Sequence, residues 1–214
     1  MNTQAPAPAG TRRWKRRSEA RPEEILEAAL DEFTERGFDA ARMEDIARRA
    51  GLSKAGVYLY FPSKEALLKA LTEAKVAPLA RHARALADSG AADPLSVVRM
   101  LAHVAAEKIA DPRVFAVPRL ILSVANRFPD VAEHYRVNVV EIARGALEDL
   151  LRAAMAKGQI RKLDAGAASR AFIGPLLFEA MWMHILGGES GLKAPKKMIE
   201  QHFDILLNGL EQRA

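Results

Sequence analysis

A chain of 214 residues, half of them hydrophobic and none a cysteine, can bury a substantial core and excludes disulfides, thiolate chemistry and cysteine-ligated metals. The formal net charge of +5 is concentrated: between Thr11 and Arg21 six basic residues stand against Glu19 alone, so the rest of the chain balances to zero. No signal-peptide core opens the sequence, and the longest apolar run, 171–186, is interrupted by Glu179 and His184 and is short for a membrane span of about 20 residues. A soluble cytoplasmic protein with no membrane partner is expected.

The apolar spacing is helical nearly throughout and no period-2 run reads as a strand, which predicts an all-α fold. Residues 1–17, rich in Ala, Pro and Arg, read as a disordered basic arm. A first helix is predicted from Pro22, a favoured first helical position, to just before Gly37, with Ile25, Ala29, Phe33 and the following Phe38 on one face. Short helices follow near 43–50 and 53–60. Pro62 stops the second of these, and Ser63 is placed to cap the next. That next helix is predicted over 64–87, carrying Leu67, Leu68, Leu71 and Leu79, with a kink at Pro78.

Asp93-Pro94 and Asp111-Pro112 combine a cap with a first-position proline and open helices near 94–110 and 112–127, the latter broken at Pro118. Pro129 begins a long helix to Gly158, with Val131, Tyr135, Ile142, Leu147, Leu150, Leu151 and Ala154 as its buried side. Asp164 caps a helix that runs to Gly187-Gly188, and a last helix covers about 195–210. The domains predicted are the arm at 1–17, a three-helix head at 18–72, and a helical-bundle body at 73–214 that forms a dimer.

The stretch 45–64, DIARRAGLSKAGVYLYFPSK, carries the functional signal. Ala47 is small where two helices touch, and Gly51 suits a turn at positive φ. Val57 lies on the face of the second helix that packs back on the first, and Ile46, Ala50, Leu52 and Tyr60 complete the seam. This spacing marks a helix-turn-helix, a unit that places its second helix in a DNA groove. The basic arm beside it suits phosphate or minor-groove contacts.

Together these residues resemble the TetR family of transcriptional regulators. The likeness runs over residues 25–71: the AALxxFxxxGF element from Ala28 to Phe38, then MEDIARRAG, LSKAGVYLYF and PSKEALL. The tract RLILSVANRFPDVAEHY is similar to a recurring element of some such regulators. The resemblance implies a homodimer whose paired heads bind a palindromic double-stranded DNA operator. It also implies a body that takes a small-molecule effector and releases the DNA, so a repressor is the default direction.

On that resemblance, Ser53, Lys54, Ala55, Gly56, Tyr58 and Leu59 occupy groove-facing positions of the reading helix. Lys54 has the reach to donate to guanine O6 or N7, and Ala55 suits a thymine methyl. Tyr58 and Tyr60 match positions that send a phenol to the backbone, and Lys64 matches one that holds a phosphate. Glu44 falls where some relatives contact a base, and Arg42 and Arg48 are candidates for backbone contacts. The chain departs from the pattern where relatives carry hydroxyl residues, at Ala41, Arg42 and Gly56.

Alanine- and methionine-rich body helices suggest an adaptable apolar interior. The effector-pocket residues expected are Met100, His103, Phe115, Leu122, Tyr135, Phe172, Leu176, Glu179, Trp182 and Met183, with His134 and His184 as further polar candidates. The helix over 172–186 is apolar almost all round, so one side is assigned to the core and the other to the dimer. The helices near 164–187 and 195–210 form that interface. A lipophilic or aromatic effector is expected, and no cofactor or metal.

Two other classes are weighed. An enzyme is disfavoured because the Glu-x-x-His pairs of di-iron bundles, the Gly-x-Ser-x-Gly elbow, the phosphate loop and His-Glu-x-x-His are all missing; no residue is assigned a catalytic role. A DNA-binding dimer without a ligand remains the alternative.

Overall fold

The structure, a computed structural model, describes residues 9–189 and 194–209, with side chains from Arg21 onward except those of residues 195 and 196. Among the described residues there is no strand. The chain divides into two compact units, one ending at Leu71 and the other beginning at Thr72.

The first unit, the head, holds α1 (Ala9–Ala40), α2 (Met43–Arg49), α3 (Lys54–Tyr58) and α4 (Lys64–Leu71). Helix α1 begins at Ala9, so the arm expected to be unstructured through residue 17 is helical from residue 9, and Pro22 lies inside the helix rather than at its start. The run 11–21 consists mostly of Arg, Lys, Glu and Ala, which are strong helix formers, and their summed preference continues the helix past the proline. Residues 1–8 of that arm lie outside the described residues. The backbone leaves the helix at Gly37 (φ 79°), as expected, and Phe38 turns back onto Phe33 with ring centroids 5.3 Å apart. Ile25, Ala29, Phe33 and Phe38 are all buried.

The second unit, the body, opens with a π-helical turn (Thr72–Val76) and continues through α5 (Ala77–Asp88), α6 (Pro94–Ala110) and α7 (Pro112–Val124). After α8 (Pro129–Tyr135) come a second π turn (Arg136–Glu141), α9 (Ile142–Ala156), α10 (Ala165–His184) and α11 (Pro195–Asn208). Its main core joins four helices: Val98, Ala102 and Ala106 of α6, Leu150 and Leu151 of α9, Phe172 and Leu176 of α10, and Ile199 and Phe203 of α11. A smaller cluster sets Ala77 and Ala80 of α5 against Val139, with Tyr135 half-buried beside it.

Three predicted elements differ in detail. The helix expected over 64–87 is α-helical only to Leu71, and the disturbance ahead of Pro78 is a π turn with the proline in the first turn of α5. A proline at that point lacks the N–H that an unbroken α-helix would require, and a π turn absorbs the loss. The helix predicted over 129–158 is likewise divided. Val131 and Leu151 are both buried although 20 residues make about 5.6 α-helical turns, which would set them nearly opposite. The six-residue π turn takes more residues per turn and brings the apolar stripe back toward one side. Helix α7 runs through Pro118 to Val124 without the predicted break, because Val117, Leu120 and Ile121 are all buried and hold it.

The expected caps are present. Asp93, Asp111, Asp164 and Ser63 accept from the amides of Ser96 (3.1 Å), Arg113 (2.8 Å), Ala167 (2.6 Å) and Ala66 (3.2 Å). Each satisfies one of the amides a helix start leaves without a partner.

Candidate nucleic-acid interface

The turn between α2 and α3 is built by backbone hydrogen bonds that need a residue at positive φ. Leu52 N donates to Ala47 O at 2.8 Å and Gly51 N to Arg48 O at 3.1 Å, with Gly51 at φ 66°. This is a Schellman closure, in which glycine pays no Cβ penalty. Val57 and Ile46 are fully buried and Ala47 nearly so, which fixes α3 against α2 as its spacing predicted. Tyr60, assigned to the same seam, lies outside it and is exposed.

The residues left outside form one face. Leu59 is 85% exposed, and Tyr58, Tyr60, Lys54 and Ala55 are exposed around it. Among the described residues of the head, Tyr58, Leu59 and Tyr60 are the large apolar side chains that stay exposed. Five-residue α3 is short, and Ser53 caps it: Ser53 Oγ accepts from Gly56 N at 3.0 Å. Ser53, a groove-facing position on the resemblance, also closes the helix with its lone pair. Gly56 fits this cap. A Cβ at Gly56 would stand 3.2 Å from Ser53 Oγ, so the missing side chain leaves room for the hydroxyl.

Among the charged candidates, Lys54, Glu44, Arg48 and Lys64 are engaged within the head. Lys54 forms an ion pair with Glu44 of α2, and its Nζ lies 5.8 Å from the Tyr58 ring centroid. The hydrogen bond from Lys54, ahead of Glu44's own amide, holds the Glu44 carboxyl below the ordinary carboxylate range, and Glu44 in turn raises the Lys54 ammonium. Both stay charged at neutral pH. Arg48 pairs with Asp45 at 2.9 Å. Arg42 is the N-cap residue of α2 and makes no side-chain capping bond, as the missing hydroxyl predicted.

Lys64 has a use that its expected phosphate role did not include. Its Nζ donates to Phe38 O at 2.6 Å and Asp39 O at 3.1 Å and sits 4.7 Å from the Phe38 ring centroid. It closes the carbonyl end of α1 and ties α4 to it.

A second network was missed altogether. Glu32 is only 2% exposed, and its carboxylate meets Arg36 Nε at 3.0 Å and Arg49 at 3.6 Å. Arg49 also pairs with Glu35, and Arg36 reaches Asp45 at 3.5 Å, so the two arginines bind α1 to α2. The signal was present: Glu32 falls three and four residues after Ala29 and Ala28, in phase with the apolar face.

In the body, the ten expected pocket residues differ in burial and in partners. Met100, Leu122 and Trp182 are exposed, and Phe115 stacks on His184 at 5.1 Å. His103 bonds Glu200 at 2.8 Å, and Tyr135 belongs to the smaller cluster, where burial pushes its phenol up. Glu179 is half-buried, Leu176 is core, and Met183 packs on that core. Of the other polar candidates, His134 meets Glu73 at 2.9 Å and His184 meets Ile109 O at 2.8 Å. Phe172 alone of the ten lines the described body cleft. That cleft, of about 680 Å³, lies among α9, α10 and α11, with Leu151, Ile160, Leu163, Leu206 and Leu207 as apolar walls and Gln159, Arg161, Asp164 and Asn208 as polar ones. No described helix is long and apolar enough to cross a membrane.

The buried residues of α10, Ala165, Ser169, Phe172, Leu176 and Ala180, recur at helical spacing on one side. The opposite side leaves Leu177, Phe178, Met181, Trp182 and Ile185 exposed, with Phe178 and Trp182 stacked at 6.3 Å.

Known proteins match this chain in sequence and in fold. Residues 25–71 match the family profile described as bacterial regulatory proteins, tetR family, and residues 96–207, just over half of the chain, match the C-terminal domain of AefR-like transcriptional repressors. The HTH-type transcriptional regulator RutR of Escherichia coli K12 is 47% identical over 64 residues, which is 28% of this chain and 30% of that relative. An uncharacterised HTH-type regulator of Bacillus subtilis, YdeS, is 26% identical over 178 residues, covering 80% of this chain and 83% of its own. Among solved structures, the fatty acid degradation regulator FadR of Bacillus halodurans superposes with a TM-score of 0.75 at 23% identity, over 90% of this chain and 97% of its own. FadR of Bacillus subtilis in complex with stearoyl-CoA gives 0.73 at 19% identity, over 88% and 99%. These relatives are regulators and not enzymes, and with both profiles matched in order along it, the chain belongs to the TetR family of bacterial transcriptional regulators.

Proposed function

We propose that this chain is a ligand-responsive repressor that binds a palindromic operator as a homodimer and leaves it when a small lipophilic effector binds the body. The observation that carries the DNA-binding half is the exposed face of α3, where Lys54, Ala55, Tyr58 and Leu59 stand outside a helix-turn-helix otherwise sealed by Ile46, Ala47 and Val57. In this reading Lys54 and Glu44 meet base edges, and Tyr58, Tyr60, Arg42 and Arg48 meet the backbone. The exposed side of α10 supports a dimer, because a contiguous apolar patch of that kind is covered in stable soluble proteins. Its residues Leu177, Phe178, Met181 and Trp182 meet their counterparts of a second copy about a two-fold axis.

The effector half rests on the family and on the body cleft beside Phe172, whose size suits a small ligand. The fold neighbour that holds stearoyl-CoA makes a long-chain acyl-CoA the first compound to try. Selection of duplexes from a random pool at two salt concentrations tests the DNA half: enrichment of a palindrome is expected, and its failure would sink the reading. Release of that duplex by an acyl-CoA or an aromatic compound tests the other half. That Phe172 alone of the ten expected pocket residues lines the described cleft favours a second reading, a DNA-binding dimer whose body is scaffold only; it predicts that no such compound changes the affinity.

A further inference from the structure

Glu44 and Lys54 face the same groove in the reading above, yet here they are engaged with each other. The pair spans α2 and α3, and both side chains are about half exposed, so no core packing requires it. Exposed pairs add little stability. The Lys54 ammonium also lies 5.8 Å from the Tyr58 ring centroid.

We propose that Glu44 is a specificity-determining residue of this head: its pairing with Lys54 denies the lysine to arbitrary phosphates and releases it where the major groove offers partners to both charges. This rests on the DNA-binding reading. A duplex carries about one negative charge per 1.7 Å of axis, so an unpaired lysine on α3 binds it at any sequence. To do so here, Lys54 must leave Glu44, and the carboxylate is then uncompensated beside the same line of phosphates. On random sequence that exchange is unfavourable. A C·G pair changes the balance, since guanine O6 and N7 accept from Lys54 while cytosine N4 donates to Glu44. The pair therefore selects a site holding a guanine acceptor and a cytosine donor side by side, and penalises the rest.

The substitution Glu44→Gln keeps the shape and removes the charge. Against a random-sequence duplex its affinity is expected to rise about tenfold, and the slope of log affinity against log salt to steepen by about 0.9, one further phosphate neutralised. Preference for the selected operator over the random duplex is expected to fall about tenfold. Glu44→Asp keeps the charge and is expected to keep the wild-type slope. In a Lys54→Met background, Glu44→Gln is expected to leave the slope unchanged, because there is no lysine to release. The inference is overturned if Glu44→Gln does not alter the random-duplex slope, or alters it equally in both backgrounds, while the wild-type chain still enriches an operator. A wild-type chain that binds no duplex overturns the DNA-binding reading and this inference together.

Discussion

In the head, Ile25, Leu30, Phe33, Ile46, Leu67, Leu68 and Leu71 are fully buried and the described surface that remains is mostly charge; the apolar exceptions, Tyr58, Leu59 and Tyr60, are consecutive and lie at the end of α3. In the body, a comparable core around Phe172 and Phe203 coexists with Leu177, Phe178, Met181, Trp182, Ile185 and Leu186 left exposed along and just after one helix. The head is closed by ionic contacts between α1 and α2. The body is apolar on a face that its described residues do not cover. An uncovered apolar face suits association with its own kind. The same contrast says where each unit breaks.

The largest effect is expected from the ionic closure of the head. Replacing Arg36 and Arg49 together by alanine leaves Glu32 buried with neither cation. Stranding a buried carboxylate in this way costs about 3 kcal/mol, the lower end for a broken buried pair because groups at its rim still reach water. Adding Glu32→Gln to the double variant is expected to recover most of that loss. Urea titration of the three proteins checks it; equal stability of the double variant and the wild type would show that the network contributes nothing.

Next is the uncovered face of the body. Phe178 is 60% exposed, so Phe178→Asp costs the isolated protomer little, but in the proposed dimer it buries two carboxylates. Light scattering is expected to show a dimer become a monomer, and operator affinity to fall by about 10²-fold as two linked heads become one. A dimer that survives this change would move the interface elsewhere.

How much of this was legible depends on the range of the interaction. The helix-turn-helix was read from sequence because its determinants, Ala47, Gly51 and Val57, lie within ten residues and act on each other directly. The Asp-Pro starts at Asp93 and Asp111 were legible for the same reason. Pro118 misled because a local rule was overridden by the burial of Val117, Leu120 and Ile121. The burial of Glu32 could have been read from its phase, but the second π turn, the Glu44–Lys54 pair and the reach of Arg49 to Glu32 depend on how one helix is rotated against another, which no single periodicity encodes. A Met or aromatic at helical spacing marks a buried face but not which neighbour it meets.

Acid should also separate the two units. All five histidines lie beyond residue 71. Burial beside Phe172 lowers the pKa of His202, against weaker raising contacts with the Phe172 and Ala171 backbone. The unfolded chain therefore takes up a proton near the ordinary histidine value of about 6.5 before the folded body does. Stability from His202 is present above that pH and lost as the pH falls toward the lowered folded value. In the head, Glu35 and Glu44 are lowered by Arg49 and Lys54, so their contribution persists until the pH drops below the ordinary carboxylate range near about 4.3. Hydrogen exchange at pH 7.5 and 5.5 is expected to show α11 loosening while α2 does not. The difference should vanish in His202→Asn, and simultaneous loosening of both helices would contradict the assignment.

The smallest effect is expected at Gly56, where two local preferences oppose each other. Glycine inside α3 costs about 1 kcal/mol of helix propensity relative to alanine, so Gly56→Ala should stabilise the helix. The new Cβ, however, stands 3.2 Å from Ser53 Oγ, closer than a methyl and a hydroxyl sit without adjustment, and that oxygen is the cap acceptor for the amide of residue 56 itself. The hydroxyl can shift by a few tenths of an ångström because Ser53 is exposed, at some loss to a capping bond that contributes about 1 kcal/mol. The two terms nearly cancel, and a net change within about 0.5 kcal/mol in a urea titration is the expected result. Coupling the change with Ser53→Ala separates them: once the cap is gone the alanine meets no oxygen, and the full propensity gain of about 1 kcal/mol should appear. If Gly56→Ala is instead stabilising to that extent with Ser53 in place, glycine at this position is not explained by the cap, and its reason lies at the groove-facing surface of α3.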